Sequence, residues 1–347
     1  MFSQIFPPLW FIKLFKYEYW TWWMFFLPLV PYWLYLAIRN RSLTYFTTAN
    51  PCIPDGGVFG ESKMDILNLI DSEYLPSTIF VPLGEPWDRV VKKLETAEIT
   101  FPLIVKPDVG GRGFKVYKMA TSAELKAYLS TIAQPVIIQE YVDYELELGV
   151  MYARLPNETS GCITSVVEKE FLSVTGDGRS TVGQLLEQNQ RARFSMGELL
   201  ERVEKQWNEV VPVGEKRFVQ PIGNHCLGTK FINSNPRVNA DLVRVFDKIA
   251  LPMEGFYYGR FDLRVPNWED LYAGKNIKIL ELNGVTSEPG HVYDPSYRLW
   301  KAYSDIMHNM RIVADISAVN IRRGFKPTPL RKLIQTSREF FEVSGQL

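Results

Sequence analysis

The chain has 347 residues, 46% of them hydrophobic and 22% charged, with 39 basic and 39 acidic side chains. This is the composition of a folded globular protein with material for two medium lobes, and zero net charge leaves no electrostatic footprint for nucleic acid. Cys52, Cys162 and Cys226 are odd in number and far apart, and the three histidines are dispersed, which excludes a disulfide framework or a CxxC-type zinc site and fits a reducing cytosol.

Residues 1–60 form a segment of their own. Five of the nine tryptophans fall in the first fifty residues, and Tyr19–Ile38 holds twenty residues without a charge. As one helix that run would reach about 30 Å, the thickness of a bilayer core. Pro28 and Pro31 interrupt it, Lys13 and Lys16 precede it, and Arg39 and Arg41 follow it. It lies too far from the start, and lacks the small-residue cleavage site, to be a cleaved signal peptide. Three placements fit. The first is a bent element in the membrane interface, with Trp and Tyr at headgroup level. The second is a true span with Arg39 and Arg41 on the cytoplasmic side. The third is a buried core or homodimer contact. The expectation is a cytoplasmic protein, peripheral or anchored at the inner face of the membrane.

Residues 42–60 carry turn signals at Asn50-Pro51, Pro54-Asp55-Gly56-Gly57 and Gly60. Glu61–Ile70 reads as a short helix from Met64, Ile66, Leu67 and Ile70. Phe101–Pro107 is a strand, Gly110-Gly111-Arg112-Gly113 a glycine loop, and Phe114–Tyr117 the returning strand. A helix over 122–132 and strands over 136–142, 146–153 and 161–171 follow. Next come a turn at Asp177-Gly178, a helix from Thr181 to Gln190, and an exposed, charge-rich helical stretch over 189–216. Helix 240–251, strands 259–265 and 277–282 and helix 299–321 complete the body. A basic tail with Arg322, Arg323, Lys326, Arg331, Lys332 and Arg338 closes the chain. Strands joined mostly as hairpins, with helices between, give an α+β fold rather than a doubly wound sheet.

Two groups of residues carry chemistry. Arg260 and Asp262 are two apart on one strand, and Glu281 and Asn283 two apart on the next, so each pair shares a face. Asp262, Glu281 and Asn283 are hard oxygen donors suited to Mg²⁺ on nucleotide phosphates, and Arg260 sets a fixed positive charge beside them. Upstream, Lys106 ends an apolar strand before the glycine loop, where exposed backbone N–H groups could approach phosphate. No GxxxxGK[ST] motif is present. Taken singly, these features also fit an ordinary glycine hairpin and scattered strand acids.

Taken as an ordered set over roughly 61–321, they resemble the ATP-grasp superfamily. Glu61-Ser62-Lys63 resembles its first phosphate-binding lysine before a helix, and Lys106-Pro107 through Gly113 its second lysine and glycine loop. The strand end Gln139-Glu140-Tyr141-Val142 with Glu147 resembles its adenine hinge and ribose acid, and Arg260, Asp262, Glu281 and Asn283 its metal strands. These points look similar to the D-alanine–D-alanine ligase branch. Val174–Val182, with Asn224-His225 and Gly228-Thr229, resembles the cyanophycin synthetase and glutathione ligase branch. The family's Rossmann-like pre-domain is replaced here by the aromatic segment, so the resemblance does not carry over a substrate. The insertion Pro266–Asn276 is expected only to lengthen a hairpin.

The resemblance implies ATP between two lobes, 61–143 with the glycine loop and 144–321 with the metal site, flanked by 1–60 and a tail 322–347. ATP and Mg²⁺ are the implied cofactors, with two metal ions and Mn²⁺ as a substitute. Lys63, Lys106, Gly110, Gly111, Gly113, Glu140, Val142 and Glu147 would bind the nucleotide. Asp262, Glu281 and Asn283 would bind metal, and Arg260 and Lys106 would act on the reacting phosphoryl group. Thr286, Ser287, Glu288 and His291 follow the metal strand, where the second substrate sits in the family, although a well-capped loop explains them equally. Asn50, Gly56 and Gly57 face the site from the other side by their position before Lys63. The implied reaction is ATP-dependent joining of a small carboxylate and an amine through an acyl phosphate, on a membrane-proximal or amino-acid-like substrate. The alternatives are an ATP-grasp phosphotransferase and a membrane-associated nucleotide-binding module without turnover.

Overall fold

A computed structural model describes residues 7–111, 115–219, 223 and 228–344. Gly113, Asn224 and His225 lie outside them. The fold is α+β, as expected: every strand pairing among the described residues is antiparallel.

Before the sheets come three short helices, α1 (Leu9–Phe15), α2 (Trp22–Phe26) and α3 (Val30–Arg39), and then α4 (Lys63–Leu67). The first sheet has the order β1 (Thr78–Val81), β4 (Val136–Glu140), β2 (Leu103–Pro107), β3 (Tyr117–Met119). Helices α5 (Trp87–Thr96) and α6 (Ser122–Leu129) cover one face of it. Val90, Leu94 and Leu125 meet Leu103, Val105, Val136 and Ile138 in a core of their own. Neither β1 nor α5 stands out in the sequence, and the strand returning from the glycine loop starts at Tyr117, three residues later than expected.

The second sheet has five strands in the order β11, β10, β5, β6, β9. They span Lys278–Asn283, Tyr258–Val265, Leu146–Ala153, Cys162–Glu170 and Lys230–Asn233. One face, with Leu148, Val150, Tyr152, Phe261, Leu263 and Ile279, packs on Phe246 and Ile249 of α10 (Ala240–Ala250) and on Ile66 and Leu67 of α4. The expected hairpin-lengthening insertion is corrected here. It holds α11 (Trp268–Tyr272), and Trp268 and Leu271 are buried in this same core, so the insertion adds packing as well as length.

The other face of the sheet is divided. Met151, Ala153 and Tyr258 pack on Val313 and Ile316 of α12 (Leu299–Arg322) and on Leu36 and Ala37 of α3, while the charged residues of the same strands lie beyond that contact. A third unit pairs β7 (Ser173–Thr175) with β8 (Lys216–Phe218). It encloses α7 (Val182–Gln188), α8 (Gln190–Phe194) and α9 (Met196–Val203). Thr181 and Gln184 cap α7 reciprocally, a capping box. The 189–216 stretch is helical as expected only as far as Gln206, beyond which it runs as turns into β8, and it is not simply exposed. Ala192, Leu199 and Val203 join Val174, Leu186 and Val211 in a small core.

The expected basic tail is largely helix α13 (Leu330–Ser344). Phe340 and Phe341 set their rings 5.5 and 5.6 Å from Phe59. Residues 19–38 are segmented: α2, a 3₁₀ turn over Leu27–Leu29 and α3 follow one another directly, and among the described residues no helix is long and apolar enough to cross a membrane.

Candidate active site between the two sheets

The site forms where β10 meets β11. Arg260 pairs with Asn283 and Asp262 with Glu281 in the strand register. Asp262 pairs with Glu281 but Leu263 with Ile279, so Leu280 is an extra residue at a bulge. The bulge lets Ile279 face the core while Glu281 and Asn283 face the site. Leu280, displaced from the ladder, offers its carbonyl to Lys106 Nζ at 2.8 Å. Lys106 belongs to the first sheet, and its second acceptor is Gln139 Oε1 at 3.2 Å, so this lysine bridges the two sheets directly at the candidate metal strands.

Arg260 grips Asp262 with a fork: Nε to Oδ1 at 2.9 Å and Nη2 to Oδ2 at 3.1 Å. Asn283 Nδ2 donates to Asp262 Oδ2 at 3.3 Å. From β6, Lys169 Nζ stands 3.5 Å from Asp262 Oδ1 and 3.2 Å from Glu147 Oε1. Arg264 Nε reaches Glu147 Oε2 at 2.9 Å, and its Nη1 donates to the Val142 carbonyl at 2.7 Å. Lys169, Glu147, Arg264, Asp262 and Arg260 thus form one buried network of alternating charge across three adjacent strands. In low dielectric each of these charges depends on a matching partner, and the three cations outnumber the two carboxylates by one.

Electrostatics follow from that matching. Burial pushes the Asp262 carboxyl upward, but Arg260 and Lys169 outweigh it and hold it below the usual carboxylate range. Burial likewise works against the charge on Lys169, yet Asp262 and Glu147 keep it protonated more firmly than usual. Lys106 has the opposite balance. Burial dominates, Lys63 adds repulsion, and Glu281 compensates only in part, so the ammonium titrates at about 8.

Lys63 opens α4. Asp108, just past β2, accepts from Ser62 Oγ and from the Met64 N–H, both at 3.0 Å, which ties the start of α4 to the strand leading into the glycine loop. Lys63 Nζ donates to the Asp108 carbonyl at 3.3 Å and to the Gly110 carbonyl in a short contact. Gly111 is open: a Cβ there would meet nothing within 4 Å. Glu61 beside Lys63 is pushed up by burial. The Glu281 side chain makes no hydrogen bond to any described residue, and its charge acts on both Lys106 and Glu61.

The donor set of two carboxylates and an amide fits a divalent cation with hard oxygen ligands. Glu281 is uncommitted, whereas the Asp262 oxygens are shared by Arg260 and Lys169, so binding metal requires the Arg260 fork to loosen. A magnesium ion would be held by Asp262, Glu281 and Asn283.

The remaining expected residues are placed unequally. Glu140 accepts the Ser77 N–H at 3.0 Å through its side chain. Glu147 has both oxygens engaged by Lys169 and Arg264. Thr286 is exposed and donates to the Gly57 carbonyl at 3.1 Å. Ser287 is buried on the Gly284 carbonyl at 2.5 Å. Glu288 gives its carbonyl to Arg260 Nη1 at 3.4 Å and its side chain to the Tyr293 hydroxyl. His291 is not at the mouth: it is 1% exposed, with Nδ1 at 2.8 Å from Ser165 Oγ and Nε2 at 3.2 Å from Asp305 Oδ2.

The loop before Lys63 does reach the site. Asn50 is fully buried and bonds Tyr257 N, Tyr258 N and O, and the Gly56 carbonyl. The Gly56 carbonyl also accepts the Val285 N–H at 3.1 Å. Gly57, at φ +87°, lies so close to Gly284 that a Cβ on it would stand 2.7 Å from Gly284 Cα; only paired glycines permit this approach. Lys169 and Arg264 are the site residues that sequence reasoning missed. The available signal was strand phase: Lys169 falls in step with buried Val167, and Arg264 in step with Asp262 and Arg260.

No protein-family model matches the sequence, and no curated protein matches it. Among solved structures, the chain is similar to the VanG D-Ala:D-Ser ligase of Enterococcus faecalis, with 16% identity and a TM-score of 0.42 over 75% of this chain and 61% of that one. It is similar to a D-alanine–D-alanine ligase of Bacillus anthracis, with 15% identity and a TM-score of 0.42 over 76% of this chain and 68% of that one. It is also similar to a bifunctional glutathione synthetase of Pasteurella multocida, with 13% identity and a TM-score of 0.38 over 70% of this chain and 35% of that one.

Proposed function

We propose that this chain is an ATP-grasp enzyme that uses ATP to join a small carboxylate to an amine, with 61–143 and 144–321 as its nucleotide-clasping lobes. The observation that supports this best is the convergence of Lys106 from one sheet on the strand of the other that carries Glu281 and Asn283, opposite Arg260 and Asp262. Two lysines, an arginine and a hard oxygen set meet between two antiparallel sheets. That arrangement suits a triphosphate.

In this reading Lys63 and Lys106 neutralise the phosphates, the glycine loop with Gly110 and Gly111 closes over them, and Gln139 to Val142 border the base. Asp262, Glu281 and Asn283 would hold Mg²⁺, which would supply charge neutralisation on the phosphate oxygens. A substrate carboxylate oxygen attacks the γ-phosphorus and ADP leaves. The amine then attacks the carbonyl of the acyl phosphate, and phosphate leaves with the C–O bond electrons. Arg260 stabilises the negative charge that grows on the transferred oxygens, a contribution that typically reaches about 10²–10³ in rate. Glu147, held between Lys169 and Arg264, acts here by keeping Lys169 beside Asp262 and Arg264 on the Val142 carbonyl, with a ribose contact as its further role.

The test is product analysis. Amino acids and other small carboxylates are screened, with and without amines, for stimulated ADP release. Hydroxylamine is then added to trap an acyl phosphate as the hydroxamate. The ligase reading requires free phosphate equal to ADP and a hydroxamate in the absence of amine. A stable phosphorylated product with no free phosphate would make the chain a phosphotransferase instead.

A further inference from the structure

The N-terminal segment leaves an apolar surface that the ligase reading does not use. Phe26, Leu27, Leu29 and Val30 all have right-handed helical backbone. Residues 22–39 are therefore one helical run, tightened to a 3₁₀ turn over Leu27–Leu29. Its inner side lies along α12 in the same direction. Phe25 stacks on Tyr303 at 5.3 Å at one end, and Arg39 bonds Asp315 at 2.6 Å at the other, with Leu29, Leu36 and Ala37 buried between.

The outer side is a single stripe. Trp23, Leu27, Val30, Leu34 and Ile38 recur at intervals of three or four residues, the spacing of one helix face. Trp23 is 54%, Leu27 62% and Ile38 77% exposed. Trp22 and Tyr35 flank the stripe, and Trp10, Leu14 and Phe15 of α1 are exposed as well. Within the N-terminal segment the exposed charges are of one sign. Between residues 7 and 54 the sole acid is Glu18, buried and paired with Arg191 at 2.5 Å. Lys13, Lys16 and Arg41 are exposed.

We propose that the outward face of residues 22–39, with the basic residues beside it, docks in the plane of an anionic lipid bilayer. A helix packed flat on the body, apolar and Trp-bearing on its free side and with exposed cations of its own segment beside it, has the amphipathic design that lies in a membrane interface. Each well-placed cation adds attraction to an anionic surface. A second copy of the chain is the poorer occupant, because a symmetric contact would set the same cations against themselves. The proposal does not depend on the ligase reading. Tyr17 donates to the Val292 and Tyr297 carbonyls at 2.7 and 3.0 Å, so the docked segment is tied to the loop that follows the Glu281 strand.

The full chain is sedimented with phosphatidylcholine vesicles, with and without phosphatidylglycerol, at low and high salt. Binding is expected to require phosphatidylglycerol and to fall with salt. The double change Leu34→Glu, Ile38→Glu should weaken it at least about tenfold with an unchanged melting temperature, since both side chains are exposed. Lys13→Glu with Lys16→Glu should weaken binding to the anionic vesicles without affecting folding. A full chain that stays in the supernatant with every vesicle overturns the proposal. So does a soluble dimer that Leu34→Glu, Ile38→Glu converts to monomer, which would assign the stripe to self-association.

Discussion

Replacing Gly284 with alanine probes the coupling between the 44–57 loop and the candidate metal strand. A Cβ at Gly284 would stand 2.5 Å from the Gly56 carbonyl oxygen and 2.8 Å from Gly57 Cα. Both are backbone atoms, so no side chain can rotate away. Restoring an ordinary contact of about 3.4 Å needs a displacement of roughly 0.9 Å. The loop cannot supply it cheaply, because Asn50 pins the loop to Tyr257 and Tyr258 and the Gly56 carbonyl holds Val285. The strand end carrying Asn283 must therefore share the shift. Overpacking of this kind costs about 1–3 kcal/mol, or about 1–4 °C of melting temperature for a chain of this size. A displacement near 1 Å in a positioned group can cost about 10²-fold in rate. Thermal unfolding and Mg·ATP titration of Gly284→Ala would measure both effects. Gly197→Ala on α9 is the control, since nothing lies within 4 Å of the added carbon. A Gly284→Ala protein with wild-type melting and wild-type nucleotide affinity would refute the coupling.

Glu147→Gln should be severely destabilising, by about 3–5 kcal/mol, because Lys169 and Arg264 lose the carboxylate that compensates both; a near-wild-type melting curve with weakened ATP binding would show that Glu147 serves the ligand alone. Lys106 titrates at about 8 when folded against 10.5 when free. Raising the pH through 8 should therefore weaken ATP binding as the ammonium loses its proton. Between 8 and 10.5 the unfolded chain binds the additional proton, so the penalty that this buried group places on folding is relieved as pH rises through that window. Calorimetric ATP titrations from pH 7 to 9, compared with Lys106→Met, would detect the first effect, and a pH-independent difference between the two proteins would count against it. Gly111→Val should slow turnover more than it lowers melting temperature, as expected of a mobile lid and not of a core hairpin; a large stability loss with normal activity per folded molecule would reverse that assignment.

Much of this was legible in the residues because it depends on local periodicity. Strand phase alone puts Arg260 with Asp262 and Glu281 with Asn283, and Thr181 announces the start of α7. What the sequence hides is long-range. The partners of Glu147 lie 22 and 117 residues away on neighbouring strands, so an acid that reads locally as a ligand group becomes the centre of a buried ion network. The bulge at Leu280 depends on the partner strand, and without it Ile279 and Glu281 would share a face. Pro28 and Pro31 read as interruptions of Tyr19–Ile38. Each sits in the first turn of its helical piece, where a missing N–H costs nothing, so the run is segmented and laid on α12 rather than broken. The tail reads as basic and open, yet the apolar residues Leu333, Phe340 and Phe341 seat it as a helix against the loop at Phe59.

The central claim is that Glu281, with Asp262 and Asn283, holds the metal of a triphosphate site, and the most direct measurement is ATP binding to Glu281→Gln as a function of Mg²⁺. The Glu281 side chain has no hydrogen-bond partner among the described residues, so the substitution should leave the melting temperature in place. The account predicts that the wild type binds ATP tightly only with Mg²⁺ and that Glu281→Gln loses this Mg²⁺ dependence together with ADP release. Mg²⁺-dependent ATP binding and turnover that survive unchanged in Glu281→Gln would contradict it.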